Sequence, residues 1–298
     1  MKSSNHHASI AETLSQLQAQ GLARLDAQLL LLHALGRSPD ERAWLLAHDA
    51  DLLDASVLQR LDALAARRAR GEPLAYLSGQ KEFFGLALAV DARVLVPRPD
   101  TETLVEWALE VLEPAAESGT PGAGQRTCSA LDLGTGSGAI ALALKATRPE
   151  LQVSATDFSE DALAVAQANA QRLGLDLTFR QGNWLSALPQ PRTQFDVIVS
   201  NPPYIAAQDP HLAALTHEPL QALASGADGL DDLRQIITQA PAHLQSGGWL
   251  LLEHGYDQAA AVRALLRQAG LHEVQSRRDL SGIERCSGAR LTFSAAQD

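Results

Sequence analysis

Ala130-Leu131-Asp132-Leu133 runs straight into Gly134-Thr135-Gly136-Ser137-Gly138 and then into an apolar stretch of helical length from Ala139 to Thr147. A short apolar strand, a turn with glycine at alternate positions and a helix, in that order, leave few folds open. The glycines allow positive φ and let a ligand approach the backbone closely, which is the opening of a nucleotide-binding βα unit. The rhythm continues downstream. Strands are expected at 151–156, 175–180, 195–200 and 249–252, helices at 159–173 (capped by Ser159) and 256–268, and two final strands at 271–275 and 289–293. Strands alternating with helices in this way predict an α/β fold, a mostly parallel sheet covered on both faces, with ligands bound outside the carboxyl ends of its strands.

The first part of the chain follows another period. Ile10, Leu14 and Leu17, then Leu25, Leu29 and Leu32, then Leu58, Leu61 and Ala65 fall on helical stripes, and Gly21, Gly36 and Gly71 punctuate them. This predicts a small helical bundle over residues 1–80, with Ser38 before Pro39 as a helix N-cap. Between 81 and 97 the period shortens. Phe83-Phe84-Gly85 and Val94-Leu95-Val96 flank Asp91-Ala92, which reads as a short linking hairpin. The remaining domain spans 98–298. It opens on Pro97-Arg98-Pro99-Asp100-Thr101-Glu102, where Asp100 is expected to cap a helix, and Pro114–Arg126 reads as a loop.

Composition bounds the partners. A formal charge of −11 over 298 residues argues against a broad phosphate-binding surface, so no direct nucleic-acid partner is expected. Arg67, Arg68 and Arg70 crowd one helix end, where they complement the helix dipole. Cys128 and Cys286 are the two cysteines, too few for a disulfide framework or a zinc site, and they suit a reducing compartment. Met1–Ile10 is polar and no apolar stretch is long enough to span a bilayer. The expectation is a cytoplasmic monomer without membrane or metal.

The chemistry gathers at two places. Gly134, Thr135, Gly136, Ser137 and Gly138 with Asp157 at the end of the next strand indicate an adenosine-containing cofactor whose ribose hydroxyls the carboxylate holds. A nicotinamide dinucleotide satisfies the same pattern. The second place is Asn201-Pro202-Pro203-Tyr204, directly after the strand at 195–200. Proline has no N–H, so the carbonyls here meet no local donor, Asn201 adds an amide oxygen, and Tyr204 adds a ring for stacking. Such a clamp accepts the two N–H groups of an amide or an exocyclic amine. A dehydrogenase has no need of it; a transferase moving a methyl group from S-adenosylmethionine to nitrogen does.

Taken together, Gly71-Glu72-Pro73, Pro97 to Glu102, Leu131 to Leu142, Asn201-Pro202-Pro203-Tyr204-Ile205 and Leu251-Leu252-Glu253-His254-Gly255 resemble the peptide chain release factor N5-glutamine methyltransferases, the HemK/PrmC family. The resemblance implies a class I S-adenosylmethionine-dependent methyltransferase fold, Rossmann-like with a seven-stranded sheet, an N-terminal helical substrate-recognition domain and a short β-hairpin between them. It implies methylation of the glutamine in the Gly-Gly-Gln loop of class I release factors. Carried over by position, Gly134 to Gly138, Asp157, Asn183, Trp184 and Asn201 would hold the cofactor. Asn201, Pro202 and Tyr204 would serve catalysis and, with Pro203, receive the glutamine. Arg98 and Glu102 would brace the site, and Phe83 or Phe84 would help cover it. Leu215-Thr216-His217-Glu218-Pro219 departs from the family in lacking a basic residue before Glu-Pro. Glu253 and His254 are expected to make strand-end hydrogen bonds. A ribosomal-protein glutamine methyltransferase, an adenine-N6 nucleic-acid methyltransferase and a cofactor-binding regulatory protein are the alternatives.

Overall fold

The computed structural model describes residues 8–113, 127–189 and 193–292. The loop expected at Pro114–Arg126 and the polar N-terminal tail through His7 lie outside the described residues. The chain divides into two compact units, Met1–Gln80 and Lys81–Asp298.

The first unit carries α1 (Ile10–Ala19), α2 (Arg24–Ala34), α3 (Arg42–Ala47), α4 (Ala55–Ala69) and α5 (Leu74–Ser78). Ser9 and Glu12 start α1 with a reciprocal capping box, Glu12 N–H donating to Ser9 Oγ at 3.2 Å and Ser9 N–H to Glu12 Oε2 at 2.9 Å. Ile10, Leu17, Ala27, Leu30, Leu31 and Leu61 form the center of its core. Ser38 is not a helix cap. Its hydroxyl accepts from Asp40 N–H within a turn at 39–41, and α3 starts only at Arg42. The arginine run is drawn into ion pairs: Arg67 with Glu72 and Arg68 with Asp26, at 2.5 and 2.7 Å.

The second unit begins with a two-stranded hairpin, β1 (Gln80–Phe83) and β2 (Leu86–Ala89), followed by α6 (Glu102–Val111). The hairpin is shorter than expected and turns earlier. Phe84 and Gly85 both adopt positive φ, +50° and +76°, as a two-residue turn matching the strand twist requires, and Val94–Val96 form no strand. Asn169 ties this hairpin to the glycine turn: its amide bonds both the N–H and C=O of Ala89, at 2.7 and 2.9 Å, and the Ser137 carbonyl at 3.0 Å. Asp100 caps nothing, because a 3-10 turn at Pro99–Thr101 precedes α6.

Then follow β3 (Ser129–Leu133), α7 (Ala139–Thr147), β4 (Gln152–Asp157), α8 (Glu160–Leu173), β5 (Thr178–Gln181), β6 (Phe195–Ser200), α9 (Asp231–Gln239), β7 (Leu244–Glu253), α10 (Ala259–Gln268), β8 (His272–Arg278) and β9 (Glu284–Arg290). The sheet order is β5-β4-β3-β6-β7-β9-β8, parallel from β5 to β7 and antiparallel beyond. Strand period explains its two faces. Ala130, Val197, Val199 and Leu251 pack with Leu104, Trp107 and Leu142 of α6 and α7. Leu131, Leu133, Ile198, Leu250 and Leu252 pack with Ile236 and Val262 of α9 and α10. Each such large side chain stabilises the fold by about 1.5–3 kcal/mol relative to exposure. Strand order reverses between β3 and β6, so their carboxyl ends open a crevice there.

Candidate active site

The turn after β3 is built to stay open toward that crevice. Gly134 and Thr135 both donate their N–H to the Thr156 carbonyl at 2.9 Å, pinning the turn to β4. Gly134, Gly136 and Gly138 have φ of +71°, +55° and +87°. A Cβ on Gly136 would meet nothing within 4 Å, because it faces the cleft, whereas one on Gly134 would come within 3.0 Å of the Trp184 ring. Gly138 opens α7, and a Cβ there would stand 2.8 Å from Leu142 Cδ1. Gly138→Ala is therefore expected to destabilise the fold by about 1–2 kcal/mol from backbone strain alone. A thermal melt should show a loss of roughly 2–4 °C for each of those kcal/mol; an unchanged melt would contradict the strain.

Asp157, the last residue of β4, accepts from Gly136 N–H through Oδ2 and from Ser159 N–H through Oδ1, each at 2.9 Å. Burial raises its carboxyl above the ordinary value, against the pull of these two donors. Trp184, at φ +48°, is held by its indole N–H on Asp232 Oδ1 at 3.1 Å. Asp132, on the α7 side of β3, is fully buried and is raised to about 7 by desolvation, although Oδ2 accepts from Thr135 Oγ1 at 2.7 Å and Ala141 N–H at 3.2 Å. It supports the turn from beneath.

The second half of the site lies at the ends of β6 and β7. Asn201 Nδ2 donates to Thr101 Oγ1 at 3.1 Å. Glu253 is buried beside them: the Tyr204 hydroxyl lies 3.4 Å from its Oε1, and its Oε2 has no hydrogen-bond partner among the described residues. Burial and the neighbouring Glu253 charge keep the Tyr204 phenol protonated, far above its ordinary range. The Tyr204 backbone is fixed by Gln258, whose Nε2 donates to its carbonyl at 3.0 Å while Oε1 accepts Gly255 N–H at 2.8 Å. Arg98 pairs with Glu218 at 2.5 Å, and Glu218 also accepts Val96 N–H at 3.1 Å, so the Glu-Pro pair is anchored by Arg98 from the Pro-Arg-Pro segment. Glu102 accepts Phe84 N–H at 3.0 Å and so holds the hairpin turn.

His254 is a relay of structural hydrogen bonds. Its Nδ1 faces the Gly255 carbonyl at 2.9 Å, which requires Nδ1–H; Nε2 then accepts from Ser287, whose hydroxyl pairs with that of Ser276, and Ser276 in turn accepts from Arg263. Burial lowers its basicity, in keeping with a neutral ring.

Both halves open into one cleft of about 340 Å³, within the ~300–1,000 Å³ range of small-molecule sites. Gly134, Thr135, Gly136, Ser137, Asp157, Asn183, Trp184, Asn201 and Pro203 all reach it, and so do Phe83 and Arg98. Gly138, Pro202 and Tyr204 do not line it: Gly138 is the helix cap, Pro202 is buried, and Tyr204 lines a smaller adjoining hollow with Asn201, Leu95 and Arg98. Thr101, Asp232 and Gln258 were not singled out by sequence. Of these, Thr101 alone carried a signal, as part of Pro-Arg-Pro-Asp-Thr-Glu. Among the described residues no cluster of three or more His, Cys, Asp or Glu is placed to hold a metal, and no helix is long and apolar enough to cross a membrane.

The chain matches two family models, the PrmC N-terminal domain over residues 9–79 and a methyltransferase domain over residues 125–282. It is 52% identical over 273 residues to the release factor glutamine methyltransferase of Bordetella pertussis, covering 91% of this chain and 96% of that one. With the release factor glutamine methyltransferase of Escherichia coli K12 the identity is 45% over 284 residues, 94% and 97% of the two chains. Among solved structures, a methyltransferase from Pyrococcus furiosus superposes with a TM-score of 0.51 at 19% identity, over 70% of this chain and 91% of that one, a likeness of fold.

Proposed function

The chain belongs to the release factor glutamine methyltransferase family, and we propose that its cleft is where the side-chain amide nitrogen of a release factor glutamine, that of the Gly-Gly-Gln loop, receives a methyl group. S-adenosylmethionine, when bound, supplies an electrophilic methyl on a sulfonium. The fold leaves room for it: the open face of Gly136 and the carboxylate of Asp157 offer a backbone cradle and an acceptor for two ribose hydroxyls, and Trp184 and Asn183 border the same space.

The observation that carries the reading is the position of Asn201. Its amide reaches the same cleft as the glycine turn, and its Nδ2 is committed to Thr101, so Oδ1 is the atom left to accept. An amide nitrogen is a weak nucleophile because its lone pair is delocalised into the carbonyl. An acceptor on its N–H raises electron density on nitrogen and stabilises the positive charge that grows there as the methyl arrives. Tyr204 supplies a ring beside Asn201, and Arg98 with Glu218 shapes the wall of the adjoining hollow. No strong base is needed, since the proton becomes acidic once nitrogen is methylated. The helical unit ahead of Lys81 carries no such constellation, which suits a role in recognising the protein substrate. We place the enzyme in the cytoplasm as a monomer, with its cysteines reduced.

Purified protein with labelled S-adenosylmethionine is expected to label intact class I release factor, and to label neither that factor with the Gly-Gly-Gln glutamine changed to alanine nor a ribosomal protein. Labelling that survives the Gln→Ala change would refute the assignment.

A further inference from the structure

We propose that Leu280, at the tip of the β8–β9 hairpin, forms with Ile283 and Tyr256 a docking rim for an apolar patch on the protein substrate, next to the loop that carries its glutamine. This rests on the reading of the cleft as the place where that glutamine is methylated.

Three large apolar side chains stand in solvent at one corner of the sheet: Leu280 is fully exposed, Tyr256 67% and Ile283 37%. The ladder brings them there. Leu252 pairs with Ser287 and Glu253 with Cys286 between antiparallel β7 and β9, and one step further His254 N–H donates to the Arg285 carbonyl at 2.9 Å. Beyond that rung the two chains lead to Tyr256 on one side and Ile283 on the other. Since β7 runs parallel to β6, this is the carboxyl edge of the sheet, the edge from which Asn201 leaves β6. Neighbouring strands lie ~4.8 Å apart, so β9 starts on the order of 10 Å from β6.

The tip is fixed as well as exposed. Asp279 is buried; its Oδ1 accepts from Ser281 N–H at 2.8 Å and Ile283 N–H at 2.9 Å, and Arg285 Nε donates to Oδ2 at 3.3 Å. Asp279 N–H donates to the Ile283 carbonyl at 2.8 Å, and Gly282, at φ +80°, donates to the Asp279 carbonyl at 2.9 Å and accepts from Arg278 at 2.6 Å. The leucine side chain is held outside this network, in water. Covering it removes apolar surface from solvent while the backbone beneath it has little freedom left to lose.

The position of the cleft says what covers it. The glycine turn and Asp157 take the cofactor on the β3–β4 side, so a protein that sets a glutamine against Asn201 has the β7–β9 side of the same edge to rest on. Three side chains expose a few hundred Å², short of the roughly 800 Å² per partner that a stand-alone interface buries. Such a patch suits a second contact for a substrate already anchored in the cleft, and is too small to pair two copies of the chain.

The test is Leu280→Asp, which leaves the core intact, assayed on intact class I release factor. kcat/KM should fall on the order of tenfold, through KM, with kcat and S-adenosylmethionine affinity within about twofold of wild type and an unchanged thermal melt. Leu280→Met should restore KM. Calorimetric affinity for the release factor with its Gly-Gly-Gln glutamine changed to alanine should fall by the same factor, because the rim acts outside the cleft. Wild-type KM and affinity in Leu280→Asp would overturn the rim. So would a dimer, seen by sedimentation, that Leu280→Asp dissociates, since the occupant would then be a second copy. If the wild-type protein methylates no release factor glutamine, the functional reading fails and the rim with it, whereas an active wild type matched by Leu280→Asp sinks the rim alone.

Discussion

Asn201→Ala should lower kcat for release factor methylation on the order of tenfold to a thousandfold, the scale of losing one positioned polar contact to developing charge, while leaving S-adenosylmethionine affinity nearly intact. The asymmetry is the point. Asn201 touches the cleft from the β6 side, whereas Asp157 and the glycine turn reach it from β4 and β3, so the two halves can be impaired separately. An interaction that strengthens as nitrogen gains charge acts on kcat; one that is equal in ground and transition states acts on binding. Asn201→Ala also leaves Thr101 Oγ1 without its donor, but a small cavity beside solvent lets water replace it. Rapid-quench measurement of the methyl-transfer step, with cofactor titrated in parallel, separates the effects. A fully active variant would mean that Asn201 is not the acceptor.

How far the sequence carried depended on whether a feature was local. β6 at Phe195–Ser200 and α7 at Ala139–Thr147 match their expected limits, because a strand buried on both faces and a helix opened by glycine are stated by adjacent residues. The hairpin was misplaced because the turn depends on Phe84 accepting positive φ, which its composition does not advertise; the Glu102 carboxylate bonding Phe84 N–H stabilises it from 18 positions away. In α2 the expected stripe of Leu25, Leu29 and Leu32 is rotated. Leu32 is buried as expected, but its buried companions are Ala27, Leu30, Leu31 and Ala34, while Leu25 is 48% exposed; a helix leucine-rich on several faces does not declare which one packs. α9 is not among the helices the pattern predicts, since its apolar face is only Leu233, Ile236 and Ile237.

The site divides in the same way. The glycine turn, Asp157 and Asn201 were legible because each sits at a strand end that the pattern locates. What supports them was not: Thr101 lies 100 residues before Asn201, and Asp232 lies 48 after Trp184. The roles of Arg98 and Glu102 became specific only in three dimensions. Arg98 holds Glu218 and Glu102 holds a backbone N–H, so both brace segments that border the cleft. The missing basic residue before Glu218-Pro219 leaves that anchor in place, because the cation comes from Arg98.

Asp157→Ala should do the reverse of Asn201→Ala. Each carboxylate oxygen already accepts one backbone N–H, from Gly136 or Ser159, and retains capacity for one ribose hydroxyl. The substitution removes the ribose acceptors and also releases Gly136, which loosens the cradle itself. Hydrogen bonds to a charged group contribute about 1.5–3 kcal/mol, so S-adenosylmethionine affinity should weaken on the order of tenfold to a hundredfold. Turnover at saturating cofactor should change only a few-fold. The pH dependence carries a sign that checks the assignment. Burial raises this carboxyl, so in the unliganded protein it takes up a proton at higher pH than exposed aspartates do. Ribose donors favour the ionised form, and binding must expel that proton on the acid side. Affinity should therefore decline as pH falls through the raised value, with proton release visible as a buffer-dependent binding enthalpy. In Asp157→Ala both the decline and the buffer dependence should disappear. If proton release persisted there undiminished, another group would be holding the ribose.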